Sequence, residues 1–271
     1  MMLHVCAIAS GSNGNCYYIG NEEDAILIDA GISCRQIELR MQQMGLSLSK
    51  VRAIFLTHEH IDHTRGLSTL VKKYQIPVFL TDGTQRACGF GVSPDHLKSL
   101  IPDQLVSIGK LEVLAFLKIH DAAAPVSCVV RQGNKQVGVF TDIGQVCPNL
   151  RDHFSKCDIA FLESNYDEAM LDNGKYPYFL KNRIRGGFGH LSNSQARSLY
   201  EESHSPELRL LLLSHLSGEN NCPDLTLQLF RQAKGPARIV VTSRHAPTAV
   251  YQIKTEIIQN SHVQNVVNAA G

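Results

Sequence analysis

The sequence predicts an α/β protein built on a pair of mixed β-sheets. Three features carry this reading: short runs rich in Ile, Val, Leu and Phe, helical patterns between them, and one stretch that reads as a hairpin. Taken in order, Ala25 to Ile28 leads into Asp29, and Ala53 to Thr57 into His58. Gly138 to Thr141 leads into Asp142, Ile159 to Leu162 into Glu163, and Leu210 to Ser214 into His215. Runs of this length and composition form buried strands. Each ends in a residue that a core does not accept unpaired. Helices are expected over Arg35 to Gln43, which stops before Gly45, and over Gly66 to Tyr74. Two more follow: Ser194 to Glu202 behind a cap at Asn193, and Pro223 to Gln232 ahead of Gly235. The stretch Ser127 to Phe140, turning at Gly133-Asn134, predicts antiparallel pairing, which argues against one doubly wound parallel sheet. Neither a GxGxxG loop nor a P-loop is present.

The chain of 271 residues is long enough for two domains at about 150 residues each, but no linker or low-complexity stretch divides it. A single domain over 1–271 is therefore expected. With 44% hydrophobic and 19% charged residues, the composition is that of a globular protein. A net charge of +1 gives no global attraction to nucleic acid or anionic membrane, so any polyanion site must come from a local patch or a bound metal. The eight cysteines lie ten or more residues apart, which excludes a CxxC pair or a zinc ribbon. The N-terminus lacks a basic leader, and no apolar stretch is long enough to span a bilayer. A cytoplasmic protein with reduced thiols and no membrane partner is expected.

The 12 histidines acquire meaning from where they fall. Thr57-His58-Glu59-His60-Ile61-Asp62-His63 directly follows a strand. A turn entering a helix can aim His58 and His60 at one point, and Asp62 and His63 at another a few ångström away. Neutral imidazole suits zinc, iron and manganese-class ions, and carboxylate adds hard oxygen character. His120, Asp142 and His215 stand at the ends of other runs. Each alone is as readily structural, but together with the first group they supply ligands for two divalent ions about 3.5–4 Å apart, with Asp142 bridging. Zinc or manganese is expected, and iron is admissible. Asp29, in an Asp-x-Gly turn, is expected to support a ligand rather than to be one.

His58-x-His60-x-Asp62-His63 is the HxHxDH motif of the metallo-β-lactamase superfamily, and the later His, Asp and His fall in that family's order. More narrowly, the chain resembles the YycJ/WalJ/VicX-like group of exonucleases. The resemblance rests on Ser10-Gly11-Ser12-Asn13-Gly14-Asn15-Cys16, His120-Asp121-Ala122, Thr141-Asp142-Ile143-Gly144 and Glu163-Ser164-Asn165-Tyr166-Asp167. It continues through Gly189-His190-Leu191-Ser192-Asn193, Ser214-His215-Leu216-Ser217 and Ser243-Arg244. This implies a four-layer αββα sandwich with metals at the sheet edge. It also implies substrate contacts from Asn165, Tyr166, Ser192 and Asn193. Tyr166 departs from the group, because many relatives carry His there, and a phenol is a poorer metal ligand or acid–base group near neutral pH.

Two local features select among the superfamily's reactions. Glu163 and His190 are expected to pair, the carboxylate orienting the imidazole and favouring its protonated form, as a general acid for an alkoxide leaving group requires. Lys175 to His190 interleaves Lys175, Lys181, Arg183 and Arg185 with Tyr176, Tyr178, Phe179 and Phe188, and contains no acid. Such a segment suits a strand-binding wall. Ser10, Asn13 and Asn15 could donate hydrogen bonds to a phosphate. The expected reaction is phosphodiester hydrolysis. A hydroxide activated by two metals attacks phosphorus, Asp62 acts at the metals, and His190 protonates the departing 3′ oxygen. A thioester or lactone hydrolase of the same superfamily needs no such acid. A flavodiiron-type oxidoreductase is disfavoured by His60, where an acid is expected. The 73 residues from Asp142 to His215 are too few for the inserted domain of RNase J-like enzymes, and no long RNase Z-like arm is visible. DNA is accordingly the first expected substrate and RNA the second.

Overall fold

The computed structural model describes residues 1–89 and 91–255. The expected domain over 1–271 thus has its last sixteen residues outside the described part. The first half supplies β1 (Met2–Ala9), β2 (Cys16–Gly20), β3 (Ala25–Ile28), α1 (Cys34–Gln43) and β4 (Val51–Phe55). After these come α2 (Ile61–Thr64), α3 (Leu67–Tyr74), β5 (Val78–Leu80), α4 (Asp82–Ala87) and β6 (Leu97–Ser99). The second half begins with β7 (Leu105–Ile108), β8 (Leu111–Leu117), β9 (Val126–Gln132), β10 (Lys135–Phe140), α5 (Pro148–Phe154) and β11 (Ile159–Glu163). It continues through α6 (Glu168–Asn173), α7 (Tyr178–Arg185), α8 (Asn193–Ser203), β12 (Leu210–Ser214), α9 (Pro223–Arg231) and β13 (Arg238–Val241). The last strand, β14 (Tyr251–Lys254), returns to pair antiparallel with β1.

One sheet runs β14-β1-β2-β3-β4-β5-β6 and the other β13-β12-β11-β10-β9-β8-β7. Both are mixed. β3 to β6 pair in parallel, as do β10 to β13, while the remaining neighbours are antiparallel. The expected hairpin is β9–β10.

The layering follows from the strands being apolar on both faces. On β4, Ala53 and Phe55 join a core between the sheets, while Ile54 points into a second core beneath α1 and α3. On β11 and β12, Ile159, Phe161, Leu210 and Leu212 enter the same central core. Ala160, Leu162, Leu211 and Leu213 face a third core with Leu150 and Phe154 of α5, Leu199 of α8 and Phe230 of α9. Successive side chains point to opposite faces of a strand. Three apolar cores separating two sheets and two helix layers are the αββα sandwich. Among the described residues no helix is long and apolar enough to cross a membrane.

The helices begin within a residue or two of their expected starts. One cap differs. Ser192, not Asn193, caps α8, accepting from the Gln195 amide while the Gln195 side chain accepts from the Ser192 amide. A Ser with Gln three residues on forms this reciprocal box, and the Asn193 side chain is left free for the interior.

Register brings the chemistry to one edge. Phe140, Leu162 and Leu213 lie side by side across three parallel strands, so Asp142, Glu163 and His215 emerge together. Ile28 and Phe55 are likewise paired, which delivers Asp29 and the Thr57-His58 loop to the facing sheet's edge. Gly31 closes the gap between these loops. A Cβ there would overlap the Asp62 carbonyl, and the Gly31 amide donates to Asn15 at 2.7 Å. Gly31→Ala is expected to lower the unfolding free energy by about 1–3 kcal/mol, as overpacking does. Chemical denaturation checks this, and unchanged stability would show that the loops can part without cost.

Candidate metal centre

Three residues of the site sit in left-handed backbone: Asp29 (φ 63°), Asp142 (φ 55°) and His215 (φ 56°). Each follows a parallel strand, and the left-handed residue bends the chain sharply at the strand end. Such conformations cost of order 1–3 kcal/mol each and persist where surroundings over-determine them.

The expected ligands come together. His58, His60 and His120 offer ring nitrogens within 4.8 Å of one another. His58 Nε2 lies 3.1 Å from His60 Nδ1. Beside them, His63 Nε2 lies 3.5 Å from Asp62 Oδ2 and 3.2 Å from Asp142 Oδ2. His215 Nδ1 stands 3.0 Å from Asp142 Oδ2, and its Nε2 is 3.7 Å from Asp62 Oδ2. Asp142 lies between the groups. Its Oδ2 faces His63 and His215, while its Oδ1 is 3.9 Å from His120 Nε2 and 3.8 Å from His190 Nδ1.

Neighbouring groups fix which nitrogen each ring presents. His120 Nδ1 donates to the Gly189 carbonyl at 3.0 Å, so Nε2 carries the lone pair. The Thr57 hydroxyl donates to Asp29 and accepts from His58 Nδ1 at 2.9 Å, which turns His58 Nε2 to the centre. Asp29 also accepts from the Thr57 amide at 2.8 Å and from His63 Nδ1 at 2.7 Å. Burial holds His58 well below the ordinary histidine range and brings His120 down to about 4, so both are neutral and ready to coordinate. Burial opposes a charge on His63 too, but Asp142, Asp29 and Asp62 outweigh it and hold that ring well above its usual range. Asp62 is lowered to about 2, because the charge of His63 overcomes its own desolvation. Burial opposes the charge of Asp142, but His215 and His63 outweigh it and hold this carboxyl well below the usual carboxylate range.

This arrangement fits divalent metal. His120 Nε2 and His215 Nε2 are buried with no hydrogen-bond partner. Buried polar atoms are seldom left so, and a cation among imidazoles and carboxylates supplies the missing partner. His58, His60 and His120 would hold one ion and Asp62, His63 and His215 another, with Asp142 between.

Glu163 and His190 complete the edge. Glu163 Oε1 accepts from His190 Nδ1 at 2.8 Å, while Oε2 accepts from the Ile143 and Leu191 amides at 2.7 and 3.1 Å. Burial disfavours a charged His190, and Glu163 outweighs it, raising the ring above its usual value.

Several residues expected at the substrate belong instead to the scaffold. Ser10 is buried, bonded to the Tyr17 hydroxyl and accepting from the His215 amide at 2.9 Å. Asn15 is buried against Gly11, Asp62 and His63. Asn165 donates to the His215 carbonyl at 2.8 Å, Ser192 caps α8, and Asn193 accepts from Ser164 at 2.6 Å. Tyr166 is buried, and burial pushes its phenol up to about 12. Ser10, Asn15, Asn165, Ser192 and Asn193 thus make hydrogen bonds within the protein. Asn13 remains exposed, as does Arg183. The acid-free segment meets acids from elsewhere. Arg183 pairs with Asp121 and Arg185 with Asp172, both at 2.6 Å, and Lys181 donates to the Asp172 carbonyl at 2.8 Å.

Sequence reasoning missed three supports. Thr57 couples Asp29 to His58, as described above. Asn221 donates to the Ser164 and Asn165 carbonyls at 2.8 and 3.0 Å. Lys118, 6% exposed, donates to the Thr141 carbonyl at 2.7 Å, steadying the turn into Asp142. The sequence signal for Thr57 was its place between a strand and HxHxDH. A lone lysine after a strand gave none.

The model of the metallo-beta-lactamase superfamily matches residues 9–180. Exodeoxyribonuclease YycJ of Bacillus anthracis is 35% identical over 234 residues, covering 83% of this chain and 86% of the relative. Exodeoxyribonuclease WalJ of Streptococcus pneumoniae is 29% identical over 225 residues, covering 80% and 83%. The crystal structure of the metallo-β-lactamase fold protein YhfI from Bacillus subtilis superposes with a TM-score of 0.73 over 93% of this chain and 100% of that one. At 16% identity that likeness speaks to fold alone. The chain belongs to the metallo-β-lactamase superfamily, whose fold and site define a metal-dependent hydrolase. Within it, its likeness to the YycJ/WalJ group extends over most of its length.

Asp29→Asn keeps a residue tolerant of left-handed backbone but cannot accept all the bonds from Thr57 and His63. Metal affinity, measured by chelator competition, is expected to fall by about 10–100-fold, the usual effect of losing a group that orients a ligand. Unchanged affinity would remove Asp29 from the support of the site.

Proposed function

We propose that this protein is an exonuclease that hydrolyses phosphodiester bonds of DNA from a strand end, using two divalent ions of the zinc or manganese class. The observation that carries the reading is the Glu163–His190 pair beside the ligand cluster. The named activity of its YycJ and WalJ relatives supports DNA over RNA. Unpaired cysteines support a cytoplasmic location.

When bound, the metals supply Lewis acidity and a hydrolytic nucleophile at neutral pH. The protein's own residues do the rest. Asp142, Asp62 and the imidazoles would hold the ions in a buried frame. Glu163, locked by two backbone amides, orients His190 and favours its protonated form. The His190 side chain is 22% exposed and so can reach a leaving group from the solvent side. It donates its proton to the departing 3′ oxygen, leaving a 5′-phosphate and a 3′-hydroxyl. A thioester or lactone, whose leaving group is good, gains little from this acid.

Assays on end-labelled single- and double-stranded DNA and RNA, with manganese or zinc present, test the reading. Progressive shortening of DNA from one end is expected. Fast thioester turnover without strand breakage would contradict it.

Two variants probe the acid. His190→Ala is expected to slow natural DNA by about 10²–10⁴-fold, the range for a positioned acid. A nitrophenyl phosphodiester, which leaves as a stable phenolate, should be slowed far less. Equal losses with metal content intact would make His190 a phosphate-positioning group. The pH profile gives a second check. His190 donates only when protonated, so activity on DNA should fall as pH rises through its raised pKa. Glu163→Gln removes the charge that raises it, so that falling limb should move to lower pH. A limb that stays in place would assign it to another group.

A further inference from the structure

Three aromatic side chains of the segment leading into His190 stand largely in solvent: Tyr178 at 78%, Phe179 at 73% and Phe188 at 66% exposed. Large aromatic side chains held out in solvent beside a site are candidates for contact with what binds there.

Phe188 is displayed on a rigid loop. The Gly189 amide donates to the Gly186 carbonyl at 2.7 Å, and the Asp121 amide to the Phe188 carbonyl at 3.0 Å. The loop lies so close to Gly144 that a Cβ there would stand 2.6 Å from Phe188 Cα. The same loop carries the Gly189 carbonyl that orients His120, and it ends at His190. Phe188 is thus fixed at the rim, two residues from the proposed acid.

Phe179 belongs to the same track. On α7 it shares a face with Arg183, four residues on, and Arg183 is bonded to Asp121 beside His120. The helical rise sets Phe179 about 6 Å further out along the axis. Cations alone explain little here, because Arg183 and Arg185 are already paired with Asp121 and Asp172. What the surface offers in excess is aromatic faces, and nucleic-acid bases stack on these regardless of sequence.

We infer that Phe188 and Phe179 are base-stacking platforms, so that the nucleotides beside the scissile phosphate lie unpaired on the enzyme. The inference rests on the nuclease reading above. It makes the preferred substrate a strand end that is single-stranded or readily frayed.

The test uses the metal-loaded protein and a single-stranded oligodeoxynucleotide carrying one abasic site, walked inward from each end. In the wild type, removing the base nearest the attacked end should raise KM roughly ten- to a hundredfold, the worth of one stacked base. Phe188→Ala should raise KM on the intact strand by a similar factor and erase the abasic penalty, because the partner of that base is gone. Phe188→Tyr should keep both the affinity and the penalty. Phe179→Ala should erase the penalty at a position further in. An abasic penalty that persists in Phe188→Ala and Phe179→Ala would overturn the inference while leaving the nuclease reading intact. Variants that instead convert a dimer to a monomer, measured by light scattering, would assign the face to a second copy of the chain and overturn it too. No cleavage of any DNA or RNA by the wild type would remove the nuclease reading and this inference together.

Discussion

The carboxylate of Asp142 lies between two sets of buried imidazoles, and much of the structure serves to keep it there. Its Oδ2 lies within 3.2 Å of His63 and 3.0 Å of His215, and its Oδ1 turns toward His120 and His190. Its backbone is held in a left-handed conformation, and the carbonyl just before it accepts from a buried lysine. An uncompensated carboxylate at such depth would be costly. The neighbouring imidazoles, and the cations they are arranged to hold, are the compensation.

Neither sheet completes the site alone. His58 and His60 come from the loop after β4 and Asp62 and His63 from the short helix α2 that follows it, while His120, Asp142 and His215 follow strands of the other sheet. Their alignment depends on the central core between the sheets, where Phe55, Val113 and Phe161 share one cluster. Packing of that core and geometry of the metal centre are therefore one problem, and metal binding will add to the stability of the folded sandwich. The residues around the ligands divide the labour. Thr57 and Asp29 set two rings, Gly189 a third, and Glu163 fixes the ring proposed to carry the proton.

Much of this was legible in the sequence, because its signals are local. Apolar runs ending in Asp, Glu or His marked the strand ends, and HxHxDH marked one half of the centre. Asp29 was readable as a support from its Asp-x-Gly turn. What escaped was set by contacts between distant segments. Ser10 binds the amide of His215, 205 positions away, and Asn165 its carbonyl, so side chains that looked available for phosphate are interior braces. Arg183 and Arg185 looked unpaired because their acids, Asp121 and Asp172, lie outside the segment.

The central proposal is that two ions would sit on either side of one bridging carboxylate. Anomalous diffraction from crystals grown with manganese, with data at its absorption edge, tests it most directly. Two peaks about 3.5–4 Å apart, the separation of a dinuclear centre, with Asp142 contacting both, are the predicted result. A single fully occupied ion with Asp142 beyond bonding distance would contradict the account.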